Sequence, residues 1–517
     1  LLPQSSAARL DICTPNPASR ACNPVPAAAW LRPPTMATGY TDPHTDYAGD
    51  NIIAHIMIDR GAERDWLHSH LNSDTKELLV LYGRRRVGKT TLVTNVLDSL
   101  DTPTFYHLCD ERGTTQNARR FAEQCADTLD DIPPDVDGFV DAFEYLTRRL
   151  DTHAVVALDE FSYLVDEDDT IPSVFQTIVD ETLDGTGISL VLLGSSISMM
   201  EEGVLSYESP LYGRRTGQWR MEAMPLGDAA GFFPDYDPTE LIEAYSILGG
   251  IPAYLEQFDA NRPLLDNVER FILSKGAFLN EEPEFLVRQE LREPPTYMAI
   301  LEAIAGGATR VSEIGNEIDR DASSISRYLQ NLTRIALVER ETPVTDPDGR
   351  GVYRITDQFL RFWFRYVLPN RATLEQGRTK PVRDTIENTL PEHTSWTFET
   401  VCRQAVRTTG FPVACSRVGR WWYGEDEIDI AGVNEQTKTL LLGECKWTTD
   451  EVGRGLLADL EALESDVRWQ GSDRSVVYAL FAREGFSENL RAVAAERDDL
   501  WLFTPADILE LFHSQAD

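Results

Sequence analysis

The sequence predicts an α/β protein. A doubly wound, mostly parallel sheet with a helical lid comes first, and short helices with a hairpin and a small second α/β domain follow. Three observations carry this. Residues 78–100, LLVLYGRRRVGKTTLVTNVLDSL, place an apolar run, a glycine-bounded loop and an amphipathic run in that order. Residues 153–164, HAVVALDEFSYL, end a second apolar run in two acids, and residues 188–200, ISLVLLGSSISMM, end a third in small polar residues. Short apolar runs alternating with helical patterns are the signature of parallel strands covered on both faces.

The first loop fits G-x-x-x-x-G-K-[ST] as Gly83, Gly88, Lys89 and Thr90. Glycines there let backbone N–H groups cradle phosphate oxygens at a helix N-terminus. Arg84, Arg85, Arg86, Val87 and Thr91 complete the cradle. Lys89 is expected to reach the β and γ phosphates of ATP, and Thr90 to ligate Mg²⁺. A chance Gly-rich turn is the bland alternative, and the order strand, loop, helix argues against it. A buried parallel strand carries its acid at the C-terminal end, where the metal sits. Asp159 is therefore expected to hold the Mg²⁺, directly or through water, and Glu160 to orient or deprotonate the attacking water. Ser195, at the tip of the third run, is a candidate γ-phosphate sensor, with a plain turn as the alternative. Arg214 and Arg215 are candidate arginine fingers, in cis or from a second subunit, with a surface salt bridge as the alternative. From Pro225 to Lys275 the pattern turns helical, as in a lid.

The segments MIDRGAERDWL, LYGRRRVGKTTL, ALDEFSYL, LLGSSISMM, SPLYGRRTG and YSILGGIPAYL, in that order over residues 57–290, resemble archaeal ATPases of the AAA+/STAND type. The resemblance implies ATP and Mg²⁺ binding with slow or regulated hydrolysis. It also implies that the Gly-Gly-x-Pro element, Gly249, Gly250 and Pro252, lies near the adenine.

Residues 296–344 recur at helical spacing three times: Met298, Ile300, Leu301 and Ile304; Val311, Ile314 and Ile318; Ile325, Tyr328, Leu329 and Leu332. Asp321 is expected to cap the third helix. LVERETPV and DPDGRGVYRIT then read as a hairpin with its turn at Pro347, Asp348 and Gly349. This is a winged helix–turn–helix pattern, whose third helix offers Ser323, Ser324, Ser326 and Arg327 to a DNA groove or serves only as a protein spacer. Phe359, Phe362, Trp363 and Tyr366 have the spacing of a core stripe, with base stacking as the alternative. The stretch around them resembles the junction that joins these ATPases to a C-terminal domain of unknown function.

The last part opens on a helix carrying Glu399. EIDIAGV and KTLLLGECKW read as a hairpin turning near Asn434, and a helix, a strand and a further helix follow. This order resembles the restriction-endonuclease-like fold, and its PD-(D/E)xK signature falls on Asp429, Glu444 and Lys446. Two carboxylates on neighbouring strand ends suit Mg²⁺, a hard ion. Lys446 shares a sheet face with Glu444 because strand side chains alternate. An acid-x-Lys at a strand end is common, so the fold is expected with cleavage left open. Trp421 and Trp422 are a candidate nucleic-acid contact, with core packing as the alternative.

Composition bounds the rest. The chain has 517 residues, 42% hydrophobic and 26% charged, which is globular and too long for one ordinary core. No apolar run reaches the ~18 residues of a membrane span. The seven Cys form no C-x-x-C pair, which fits a reduced cytoplasm and no structural zinc. Net charge is −37, and only six of the 48 basic residues are Lys, which suggests a salt-in halophile. At 1 M salt the Debye length is about 3 Å, so such self-repulsion is screened. A DNA-binding face would be a local exception to that charge. The opening 50 residues, rich in Pro, Ala and Ser, read as a disordered tail rather than a signal peptide, with Met36 or Met57 as alternative starts. We expect an ATPase core over 51–225, a lid over 226–294, a winged helix over 295–357, a helical junction over 358–395 and a nuclease-like domain over 396–517. A homo-oligomer is an open possibility.

Overall fold

Five strands form the first sheet: β1 (Leu78–Tyr82), β2 (Thr104–Leu108), β3 (Ala154–Asp159), β4 (Ile188–Gly194) and β5 (Gly217–Arg220), in the order β2-β3-β4-β1-β5. Every pair is parallel. Strands β1, β3 and β4 are buried at every residue, as a sheet covered on both faces requires. The computed structural model describes residues 60–513 apart from 74 and 472, so the expected tail and both alternative starts lie outside the described residues. Helix α1 (Lys89–Ser99) follows the loop after β1. The helix Pro238–Leu248 begins at a reciprocal cap, in which Asp237 accepts from Glu240 N and Glu240 accepts from Asp237 N.

Three helices come next, α2 (Pro294–Ala305), α3 (Val311–Glu317) and α4 (Ala322–Arg334), then a hairpin of β6 (Val338–Glu341) and β7 (Val352–Ile355). Ile325, Leu329 and Leu332 of α4 are buried. The cap expected from Asp321 is not made: its side chain bonds no helix N–H, and its backbone carbonyl accepts from Ser324 N instead, at 3.0 Å. The polar side of α4 faces the first sheet domain. Arg334 pairs with Glu202, Arg220 donates to the Arg334 carbonyl at 2.8 Å, and Ser323, Ser324, Arg327 and Asn331 share a cavity with Ser196 and Glu202.

Helix α5 (Gln358–Phe362) and the turns after it bury Phe359, Phe362, Trp363 and Tyr366 to 2% exposure or less, so this aromatic run is core. Helix α6 (Lys380–Val406) runs unbroken across the expected boundary at 395/396, although Pro391 lies inside it. It carries Ile386, Leu390, Phe398 and Val401 into the core.

The last sheet has five strands: β8 (Arg417–Tyr423), β9 (Asp426–Asn434), β10 (Thr439–Lys446), β11 (Ser475–Ala482) and β12 (Leu500–Phe503), ordered β12-β11-β10-β9-β8. The β9–β10 hairpin is antiparallel, and β10, β11 and β12 are mutually parallel. Alternation divides its residues between two cores. Leu441, Ala479 and Phe481 join the main core, while Leu440, Leu442, Tyr478 and Leu480 form a second. Trp421 belongs to that second core at 3% exposure and Trp422 is half-buried, so the two do not form an exposed stacking pair.

Candidate functional site

The loop after β1 has to turn sharply under the end of β5. A Cβ on Gly83 would sit 2.3 Å from the Met221 carbonyl oxygen, so only glycine fits. Gly88 has φ +93, a left-handed conformation that L side chains avoid, and it opens α1. Lys89 is 5% exposed and donates to the carbonyls of Gly83 at 2.9 Å and Arg84 at 3.0 Å. Burial pulls its ammonium pKa down, against the opposing pull of Glu160 and Asp159. Thr90 Oγ1 donates to Asp159 Oδ2 at 2.5 Å, and the Tyr106 hydroxyl donates to the same oxygen at 2.8 Å. Glu160 holds φ +53 at the end of β3 and accepts from Ser195 Oγ at 2.6 Å.

Arg85, Arg86, Gly88, Lys89, Thr90, Thr91, Glu160, Ser195 and Pro252 thus line one cavity of about 320 Å³. Gly249 and Gly250 line a different one, with Arg84 and Val87. Arg214 is taken up by Asp180 at 2.7 Å and the Pro210 carbonyl, and Arg215 by the Leu205 carbonyl and the face of Tyr212. Neither lines the cavity.

Sequence reasoning missed three features here. Tyr106 carries no motif. Arg85 donates to the Tyr163 hydroxyl at 2.5 Å. Arg84 forms a buried ion pair at 2.8 Å with Asp357, whose other oxygen caps α5 by accepting from Leu360 N. The two partners are 273 positions apart, a separation no local pattern signals.

The C-terminal candidates also converge. The register Ile430↔Gly443 sets Asp429 and Glu444 side by side on β9 and β10. Asp429 Oδ2 accepts from Cys445 N at 3.0 Å, and Lys446 Nζ lies 3.1 Å from Glu444 Oε2. Burial and then the neighbouring Asp429 push the Glu444 carboxyl up to about 7. The same two causes raise Glu399. Burial opposes the charge on Lys446, but Glu444 and Asp429 outweigh it and raise its pKa. Arg403 and Arg420, both unforeseen, stand 3.7 and 3.9 Å from Glu399, and Arg420 also reaches Glu341 of β6 at 3.4 Å. Arg403 donates to the Asp429 carbonyl at 3.2 Å.

Residues 57–258 match a profile described as an ATPase domain predominantly from Archaea. An uncharacterized protein of Methanocaldococcus jannaschii, MJECL04, is 35% identical over 398 residues, spanning 76% of this chain and 88% of its own. The chain belongs to this archaeal ATPase family. The phosphate loop, Asp159, Glu160 and Ser195 all lie in the matched ATPase domain. A second profile, archaeal and bacterial proteins of unknown function, covers residues 363–456 and so contains Glu399, Asp429, Glu444 and Lys446. Among solved structures, a Walker-type ATPase of Pyrococcus abyssi is 23% identical with a TM-score of 0.45, covering 60% of this chain and 96% of that one. The ORC2 protein of Aeropyrum pernix, solved in ADPNP–ADP complexes, is 16% identical with a TM-score of 0.37, covering 62% and 93%.

Proposed function

We propose that the chain is an Mg·ATP-hydrolysing switch that controls a DNA-associated, nuclease-like C-terminal domain. The observation that carries the reading is the convergence of Asp429, Glu444 and Lys446 in a chain whose ATPase domain has its own assembled site. In the ATPase site, Thr90 and Asp159, which hydrogen-bond each other, would hold Mg²⁺, Asp159 directly or through water. The ion would neutralise charge on the β and γ phosphates. Lys89, released from its two loop carbonyls, reaches the same oxygens. Glu160 aligns the attacking water and takes its proton, with Ser195 holding the carboxylate in place.

The last domain, from about residue 396, is read as restriction-endonuclease-like. Asp429 and Glu444 would share one Mg²⁺, which characteristically keeps several waters and takes only one or two carboxylates. That ion would lower the pKa of a bound water. Lys446, 3.1 Å from Glu444, would neutralise charge developing on a phosphodiester. Helices α2–α4 with the β6–β7 hairpin are read as a winged helix, a DNA-facing module whose polar side lines a cavity shared with Ser196 and Glu202. We place the chain in the cytoplasm of a halophile.

A second reading, a nucleotide-gated regulator that binds partners without cutting, is favoured by one observation. The carboxylates are already engaged, Asp429 Oδ2 by Cys445 N at 3.0 Å and Glu444 Oε2 by Lys446 Nζ at 3.1 Å. Cleavage of plasmid and linear DNA in molar KCl with Mg²⁺ or Mn²⁺, with and without ATP, separates the two. Loss of cutting in Asp429→Ala supports the nuclease, and further loss in Asp159→Ala puts ATP in control. Intact ATP turnover with no cutting by any variant leaves the regulator.

A further inference from the structure

Arg361 of α5 has no carboxylate within 4 Å among the described residues. Its guanidinium lies 4.0 Å over the Trp396 ring, and its Nη1 is sealed from solvent without an acceptor. The carboxylate whose field acts on it most, Glu399, is already shared between Arg403 and Arg420. The like charges of Arg354 and Arg365 add to the imbalance. Arg365 is paired with Glu392 at 3.0 Å, and Arg354 with Glu341 at 2.9 Å. A partly buried cation without a counter-ion is costly, and proteins resolve the cost by pairing it or by binding an anion.

Space for an anion lies beside it. Arg361, Arg354, Trp396, Tyr353, Thr309 and Gly307 line a cavity of about 140 Å³ between the turn after α2, strand β7 and helix α6. Among the described residues the Tyr353 hydroxyl makes no hydrogen bond, whereas the Thr309 hydroxyl is engaged by Glu313, so the lining combines guanidinium N–H groups with one free hydroxyl donor. Planar guanidinium donors suit multi-oxygen anions, phosphates above all. We infer that this cavity is a binding site for an oxyanion of the phosphate class, distinct from the phosphate loop. Burial, acting first, and the neighbouring arginines depress the Arg361 pKa to about 10, which is the imbalance a bound oxyanion would relieve. The ligand is either a free phosphate or a phosphodiester of nucleic acid. The site stands independently of the function proposed above.

The test fills the phosphate loop first. The full chain is saturated with Mg²⁺ and a non-hydrolysable ATP analogue, then titrated calorimetrically with inorganic phosphate. Saturable binding to wild type is expected, weakened at least tenfold in Arg361→Gln and unchanged in Arg365→Gln. A short DNA duplex that displaces the phosphate assigns the site to a phosphodiester, and one that does not assigns it to the free anion. No saturable binding to wild type, or equal binding to Arg361→Gln, overturns the proposal. Should Arg361→Gln fail to fold, wild-type crystals soaked in selenate decide. An anomalous peak beside Arg361 supports the site, and peaks confined to the phosphate loop or the surface reject it.

Discussion

At the scale of single residues, the proposed ATPase site gives separate roles to groups joined by hydrogen bonds, Thr90 with Asp159 and Glu160 with Ser195. Glu160 accepts from Ser195 and, among the described residues, makes no hydrogen bond or ion pair with Thr90 or Lys89. Glu160→Gln should therefore keep ATP binding while lowering turnover by roughly 10²–10⁴-fold, the usual yield of a general base. Parallel measurements of nucleotide affinity and phosphate release check this, and a matched loss of both would contradict it. His393 sets a different expectation. It is fully buried, its Nε2 donates to the Ser246 carbonyl at 3.0 Å, and its Nδ1 has no partner. Burial first, then Arg361 and Arg365, depress its pKa from 6.5 to about 3. Between those values the unfolded chain binds a proton that the folded chain refuses. This contribution to stability is whole above about pH 6.5 and is lost as pH falls toward 3, by about 1.4 kcal/mol per unit. Denaturant titrations at pH 7 and pH 5 should differ by about 2 kcal/mol less in His393→Gln than in wild type.

At the scale of elements, the Arg84–Asp357 pair joins the phosphate loop to the first turn of α5. Removing one partner of a buried ion pair typically costs about 3–5 kcal/mol, because the other is left charged and unpaired. Arg84→Met and Asp357→Asn should each lower the melting temperature, and the double variant should lose less than the sum. A fully additive double variant would mean the two groups do not interact. Helix α4 carries a second expectation. Its polar side shares a cavity with Glu202, Glu290 and Glu293, an acidic wall that repels a phosphate backbone. Glu202→Gln removes the partner of Arg334 and should strengthen DNA binding, measured by fluorescence anisotropy at fixed salt, if α4 is a DNA-reading helix. Unchanged binding would favour a protein spacer. Periodicity was enough to place α2, α3 and α4 in order but not to bound them: Ile318 of the second stripe falls just past α3, and of that stripe only Ile314 is buried. It was not enough for the Asp321 cap, where the choice between side chain and backbone acceptor depends on a local rotamer.

At the scale of the whole molecule, a net charge of −37 on 517 residues must be screened. Melting temperature should rise steeply as KCl goes from about 0.1 M to about 2 M, and a flat response would remove the halophile reading. The sequence by itself determined what local physics controls: the buried strands β1, β3 and β4, the phosphate loop between Gly83 and Thr90, the acids at the end of β3, and the β9–β10 hairpin with Asp429 and Glu444. Short-range sterics and alternation with period two or 3.6 suffice for these. It did not reveal the edge strands β8 and β12: β8 (RVGRWWY) mixes polar and apolar residues, β12 (LWLF) is only four residues long, and each is held by pairing along one side. Nor did it reveal that α6 crosses the expected domain boundary, since a continuous helix gives no composition break. Only the tertiary structure decided which charges meet: Arg84 with Asp357, Arg420 with Glu341 and Glu399, and Arg361 with no carboxylate among the described residues. Coulomb interactions act through space between residues far apart in the chain, and no pattern along the sequence encodes that distance.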